Sequence, residues 1–200
     1  NYCFQACDAI TTPSQDLKNN IIKLYNLPEE KITVIPNIID TNHFMPLPRM
    51  RDDQPFTILH VGRFERAKGV ITLVKAFIEF AKIGTECRLI NVGQARGSSY
   101  EKCHELLKSA GMIKNVKFTG FISYEDLPKY YADADVVVVA SEIYESFSYT
   151  VAQAMACNKP VIASNIGGIP ETLDSGRLGL LFEPGNIDSL FKKLSYIYNN

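Results

Sequence analysis

From Thr57 to the end of the chain, short β-rich apolar runs alternate with amphipathic helical patterns, and this rhythm leaves few folds open. The runs are TILHV (57–61), CRLINV (87–92), NVKFTG (115–120), DVVVVA (135–140), PVIAS (160–164) and GLLF (179–182). They are nearly all apolar instead of alternating, as strands buried on both faces should be. The first helical stretch carries Val70, Leu73, Val74, Phe77, Ile78 and Ala81 on one face and Thr72, Lys75, Glu79 and Lys82 on the other. Further helices are predicted from Tyr100 to Ala110, over 123–132, from about Ser148 to Ala156, over 167–173 (short) and over 186–198. Six βα units in series predict an α/β fold with a parallel, doubly wound sheet.

The residues before Thr57 read differently. Asp8–Thr12 is a strand candidate, Thr12-Pro13-Ser14 opens a helix carrying Leu17, Ile21 and Leu24, and Ile32–Ile35 is a second strand ending at Pro36. Residues 37–55 contain Pro46, Pro48 and Pro55 with mixed charge and no periodic apolar face, which predicts a linker. The segment ahead of it resembles the end of a preceding α/β domain. The chain begins at Asn1 without an initiator Met, so an internal piece of a longer protein is expected.

Composition narrows the function classes. A net charge of −1 over 200 residues excludes a nucleic-acid binder working by bulk basic charge. The longest apolar run, Val136–Ala140, is far short of the roughly 20 residues a membrane helix needs. No signal peptide is visible. Cys3, Cys7, Cys87, Cys103 and Cys157 are odd in number, scattered and without a CxxC, so neither a disulfide framework nor a zinc site is predicted, and a reducing cytosol is.

In a doubly wound sheet, ligands sit beyond the carboxyl ends of the strands, where the strand order reverses. The first long strand delivers Gly62-Arg63-Phe64-Glu65-Arg66-Ala67-Lys68-Gly69 to that edge. Arg63 offers a planar fork to phosphate oxygens and Lys68 a compact charge, with glycines that let backbone approach a ligand; a merely solvated basic loop is the plain alternative. The fourth delivers Glu145 followed by Ser146, Ser148, Tyr149 and Thr150 at a helix start, where hydroxyls and free N–H groups suit an anion. Glu145 makes more sense aimed at hydroxyl groups than at phosphate. Gln153, about one turn on, leans back toward the same mouth. Ser146 and Ser148 as simple caps and Gln153 as a surface residue are the plain alternative here. The fifth delivers Gly167-Gly168-Ile169-Pro170-Glu171, a tight strand-to-helix junction whose Glu171 reads as a first-turn charge.

GRFERAKG, YESFSYTVAQAMACNKPVIAS and GGIPE, with VGQARG and FTGFIS between them, resemble the group 1 glycosyltransferases of family 4. These are retaining GT-B enzymes with nucleotide-sugar donors. The resemblance implies that residues 1–48 are the end of the N-terminal domain with its linker, and that 55–200 are the Rossmann-like C-terminal domain that binds a donor such as a UDP- or GDP-sugar. It implies that Gly62, Arg63 and Lys68 meet the donor diphosphate and that Ser148, Tyr149 and Thr150 offer it N–H or O–H groups. Glu145 would touch the donor sugar, and Phe121 and Ile122 would hold the base. Glu145, Arg63 and Lys68 are then the catalytic candidates. The second glutamate of the family's pair falls on Gln153, whose place is at the ribose, and Ser146 and Ser148 replace the usual glycines.

The expected acceptor is a glycan, a lipid-linked sugar or a small molecule, as in polysaccharide biosynthesis. The expected location is the cytoplasm, and a peripheral contact of the missing domain with the inner face of the membrane is compatible with it. No metal or other cofactor and no nucleic acid is expected. Asp133-Ala134-Asp135 matches a metal-binding DxD but precedes its strand, so it is predicted to be a helix end and turn. His43, His60 and His104 are read as structural. A GT-B isomerase of sugar nucleotides and a non-catalytic nucleotide-sugar-binding module are the competing functions.

Overall fold

The computed structural model describes residues 2–50 and 55–200. After a short helix α1 (Tyr2–Ala6), strand β1 (Ile10–Thr12), helix α2 (Gln15–Tyr25) and strand β2 (Ile32–Val34) form one small unit, with β1 and β2 parallel and Ile10 opposite Ile32. Ser14 starts α2 by accepting the Leu17 N–H, and Asn26 ends it in the left-handed region, which asparagine tolerates.

The main sheet has six strands: β3 (Phe56–Val61), β4 (Cys87–Val92), β5 (Val116–Phe118), β6 (Val136–Val139), β7 (Val161–Ser164) and β8 (Leu180–Phe182). Their order is β5-β4-β3-β6-β7-β8 and every pair is parallel. Chain order therefore reverses between β3 and β6. The connecting helices are α3 (Val70–Lys82), α4 (Ser98–Ser109), α5 (Leu127–Asp133), α6 (Tyr149–Ala156), α7 (Ile169–Thr172) and α8 (Ile187–Asn199). Side-chain alternation divides the apolar residues into two cores. Ile58, Leu89, Val136 and Val138 meet α3, α4 and α8 on one face. Leu59, Val137, Val139 and Ala163 meet Tyr131, Val151, Ala154 and Ile169 on the other. The doubly wound sheet expected from the alternation is the one found. Among the described residues, no helix is long and apolar enough to cross a membrane.

Several expected boundaries move by one or more residues, among them two inside the sheet domain. The helix expected over 123–132 begins only at Leu127, because Ser123 Oγ accepts the Asp126 N–H at 3.2 Å and closes a turn first. The strand expected over 115–120 contracts to 116–118.

The stretch expected to be a plain linker is fastened to the sheet domain. Phe44, 1% exposed, sits in the second core, edge-on to Tyr124 at 5.3 Å and to Tyr131 at 6.0 Å. His43 stacks on Tyr124 at 4.3 Å, its Nε2 2.8 Å from the Tyr124 carbonyl oxygen. Arg49 grips Asp135 with both terminal nitrogens, at 2.7 and 3.1 Å, and Asp135 also accepts the Thr57 N–H at 2.7 Å. Asp133 accepts the Met50 N–H at 2.9 Å. The DxD pair is thus engaged in anchoring the incoming chain at the amino end of β6. One isolated aromatic has no period, so a search for periodic apolar faces passes over it.

His60 and Asn91, paired in register across β3 and β4, are fully buried among apolar neighbours. His60 Nδ1 lies 3.3 Å from the Val138 carbonyl oxygen, while its Nε2 and the Asn91 Oδ1 have no hydrogen-bond partner among the described residues. Burial lowers the imidazole pKa from 6.5 to about 4, the Lys68 charge adds to that, and the Val138 carbonyl opposes it. His60 is accordingly neutral at pH 7.

Two stability measurements follow from this packing. Phe44→Ala should cost about 3–5 kcal/mol in chemical denaturation, the usual range for deleting a buried ring; a loss near zero would mean that residues 43–50 only tether. For His60, the unfolded chain takes up a proton before the folded one does, so stability is complete above about pH 6.5, declines toward pH 4 and levels off below. Denaturation at pH 7 and pH 5 should show a loss of about 2 kcal/mol in the wild type that His60→Leu lacks. Equal pH sensitivity in both proteins would contradict the assignment.

Candidate functional site

The loops after β3 and β6 leave the sheet side by side at the point where strand order reverses. They are locked together by backbone. Gly69 has φ 65° at the start of α3, and a Cβ there would lie 1.7 Å from the Ala140 carbonyl oxygen, so only glycine fits. The Glu142 N–H donates to the Ala67 carbonyl at 3.0 Å, and the Thr72 hydroxyl donates to Glu142 Oε1 at 2.6 Å. This lock brings Lys68 Nζ to 2.5 Å from Glu145 Oε1, and the Ser141 hydroxyl donates to the same oxygen at 2.6 Å. The Lys68 and Glu145 side chains are 28% and 15% exposed, so the pair is only partly desolvated.

Ser148 is the N-cap of α6; its buried Oγ accepts the Val151 N–H at 3.4 Å. The Thr150 hydroxyl donates to the Val61 carbonyl at 3.2 Å, tying α6 to the end of β3. Both hydroxyls therefore have structural tasks, and the plain capping reading holds for Ser148. The N–H groups of Tyr149 and Thr150 make no hydrogen bond among the described residues, which leaves the helix with donors and a positive dipole end pointing outward. The Tyr149 ring is exposed and edge-on to Phe147 at 5.2 Å. Gln153, on the second turn of α6, accepts at Oε1 from the Tyr131 hydroxyl at 2.8 Å. Tyr131 is fully buried and burial pushes its pKa upward, so it remains a proton donor. The amide nitrogen of Gln153 is the end left for other partners.

The other expected residues make no hydrogen bond or ion pair with this cluster among the described residues. Arg63, 73% exposed, pairs with Glu65 at 3.2 Å and lines an open pocket of about 350 Å³ with Phe64, Gln94, Arg96 and Gly97. Gly62 closes β3 through its N–H to the Val92 carbonyl at 2.8 Å. Phe121 is 89% exposed. Ile122 packs against the second core and lines a depression of about 290 Å³ with Met50, Lys117 and α5, which no other expected site residue reaches. Among the described residues, no group of His, Cys, Asp or Glu side chains has the arrangement to hold a metal ion. Sequence reasoning missed Ser141 and Tyr131. Ser141 had a signal, since it directly follows β6 four residues before Glu145; Tyr131 read only as a core aromatic.

Comparison with known proteins shows the family. The sequence pattern of the family "Glycosyl transferases group 1" matches residues 48–200, and that of "Glycosyltransferase Family 4" matches residues 1–43. An uncharacterized glycosyltransferase of Methanocaldococcus jannaschii is 32% identical over 200 residues, covering 94% of this chain and 50% of that protein. The mannosylfructose-phosphate synthase of Agrobacterium fabrum is 30% identical over 94% of this chain and 44% of its own length. The chain spans about half the length of the curated relatives it matches. Among solved structures, Anabaena HepE in complex with UDP superposes with a TM-score of 0.89 at 25% identity, over 98% of this chain and 56% of that one. The sucrose-phosphate synthase of Thermosynechococcus elongatus superposes with a TM-score of 0.85 at 28% identity, over all of this chain and 51% of that one. With a doubly wound sheet, a charged cluster at its switch point and a family pattern matched over residues 48–200, the chain belongs to the group 1 glycosyl transferases.

Proposed function

We propose that this chain is the donor-binding part of an enzyme that moves a sugar from a nucleotide diphosphate to an acceptor with retention. The observation that carries this reading is the Lys68–Glu145–Ser141 cluster next to the open N-terminus of α6, at the reversal of strand order. Lys68, Arg63 and the Tyr149 and Thr150 N–H groups face the charge that develops on the departing diphosphate, which is electrostatic work for preorganised donors. Glu145 accepts from sugar hydroxyls, Gln153 meets the ribose, and the backbone at Phe121 and Ile122 meets the base. Residues 1–48 are the end of an N-terminal domain, with its linker, and that domain supplies most acceptor contacts. Such a site needs no metal, since its cations and helix end take that role. The enzyme works in the cytoplasm on a glycan, lipid-linked or small-molecule acceptor. Solved relatives with UDP and with UDP-glucose support a nucleotide-sugar ligand. Gln153 favours a second reading, a module that binds without turnover, and turnover by the full-length protein separates the two.

Calorimetry with UDP-, GDP- and ADP-sugars should find one that binds the full-length protein with equal affinity in EDTA and in magnesium. With that donor, Lys68→Ala and Arg63→Ala should each lower kcat by about 10²-fold, the usual cost of one preorganised donor to developing charge. Affinity that disappears on chelation, or a near-normal kcat in both variants, would overturn the reading.

Gln153 gives an independent test. A carboxylate at this position keeps one oxygen for the Tyr131 hydroxyl and turns the other toward the ribose, replacing a neutral bond with a charge-assisted one. Gln153→Glu should tighten nucleotide binding by about 1 kcal/mol, and a 2′,3′-dideoxynucleotide should lose that gain. Unchanged affinity in Gln153→Glu and Gln153→Ala alike would remove Gln153 from the site.

A further inference from the structure

The first turn of α2 is capped from the far end of the chain. Ser14 Oγ accepts the Leu17 N–H at 3.3 Å, while the Gln15 and Asp16 N–H groups donate to the two carboxylate oxygens of Glu171, at 2.8 and 2.5 Å. Every N–H of that turn thus has a partner, and the negative charge lies at the positive end of the helix dipole. In α7 itself, Glu171 has no comparable task; its carboxylate reaches across 155 residues of sequence.

The same junction carries the backbone of Glu145. The Gly168 N–H donates to the Glu145 carbonyl at 2.8 Å. A Cβ on Gly167, at φ 58°, would lie 2.2 Å from that carbonyl oxygen; one on Gly168 would lie 2.3 Å from the Ser146 carbonyl oxygen and 2.9 Å from Ser14 Cβ and Oγ. Beyond Glu145 on the other side, Asn20 Nδ2 of α2 donates to the Tyr144 hydroxyl at 3.3 Å. Helix α2 therefore touches the site loop at Tyr144, the glycine pair beneath it at Gly168, and the helix that follows at Glu171.

We propose that Glu171 is a positioning residue for Glu145. By holding the N-terminus of α2, it presses Ser14 onto Gly168 and fixes the backbone of residues 144–146, so that seating of the preceding segment and the geometry of the Lys68–Glu145 pair form one coupled state. The contact is solvent-exposed and charge–dipole in kind, so salt screens it and it can open and re-form without disturbing either core. The kinetic side of this proposal rests on the donor-binding reading of Glu145; the structural side does not.

Amide hydrogen exchange on the full-length protein, in the wild type, Glu171→Gln and Glu171→Ala, tests it. Glu171→Ala should raise exchange at Gln15, Asp16 and Gly168 together, by about tenfold, and leave Val137 in β6 unchanged as the fold control. Glu171→Gln keeps one acceptor oxygen without the charge and should fall between the two. With UDP-glucose as the probe substrate, Glu171→Ala should lower kcat by about tenfold while KM stays within about twofold, because the Gly69–Ala140 packing that holds the backbone of the Lys68 loop does not involve α2. Faster exchange at Gln15 and Asp16 with Gly168 unchanged would reduce Glu171 to a local cap and overturn the coupling, as would unaltered exchange throughout. If the wild type turns over no UDP-glucose, it is the donor reading that suffers, and the exchange result still decides the coupling.

Discussion

Strand β3 has a parallel neighbour on each side, and the rest of the structure depends on that. From β3 the chain moves outward through β4 to β5, then must return across the sheet to place β6 on the other flank. Right-handed crossovers put α3 and α4 on one face and, after the reversal, α6 and α7 on the other. The loops that follow β3 and β6 are consequently adjacent at their roots yet lead to helices on opposite faces. That divergence marks the place where such sheets take ligands, and it brings Lys68 and Glu145, 77 residues apart in sequence, into contact there. The valines of β6 serve both cores at once, so the strand that carries the Glu145 loop cannot shift register without exposing one of them.

The Lys68–Glu145 pair is neither buried nor free. A fully buried pair would lose more in desolvation than its attraction returns, and a fully exposed one would be too weak to hold a geometry. At this depth the Ser141 hydroxyl joins the lysine on one carboxylate oxygen, leaving the second oxygen of the same carboxylate for another donor. In the proposed reaction, arrival of a diphosphate gives Lys68 a second anion to balance while Glu145 gains sugar hydroxyls in exchange. The pair is neutral before binding, and the negative charge a diphosphate brings is what Lys68 and the dipole end of α6 are placed to balance.

The alternation of apolar runs was enough to read the layered sheet, because burial on both faces leaves no other pattern for those strands. Lys68, Glu145 and Gln153 were legible as residues sent to one sheet edge. Their partners were not. The Lys68–Glu145 contact depends on how closely Gly69 sits on Ala140, a backbone distance that composition does not encode. Phe44 escaped because a single aromatic between prolines has no period, and Glu171 because its own short helix supplied a sufficient local explanation for a first-turn acid. Apart from Ser141, four residues from Glu145, each missed element is a contact between segments distant in sequence, where local propensity carries no information.

Gln153 shows how a departure from a family pattern can be selective in its chemistry. Tyr131 is locked in the second core against Phe44, and its hydroxyl must find an acceptor on α6 or stay unpaired at a cost of about 1–3 kcal/mol. Glutamine and glutamate are nearly the same size and both supply that acceptor, so the core does not distinguish them. They differ only in the second terminal atom, which is a donor in the amide and an acceptor in the carboxylate. With the carbonyl oxygen held by Tyr131, the exchange turns the other terminal atom from a hydroxyl-accepting oxygen into a hydrogen-donating nitrogen. The negative charge disappears with it. The packing beneath is satisfied either way, so under the proposed reading the exchange acts on what this position offers a ribose and leaves the core unchanged.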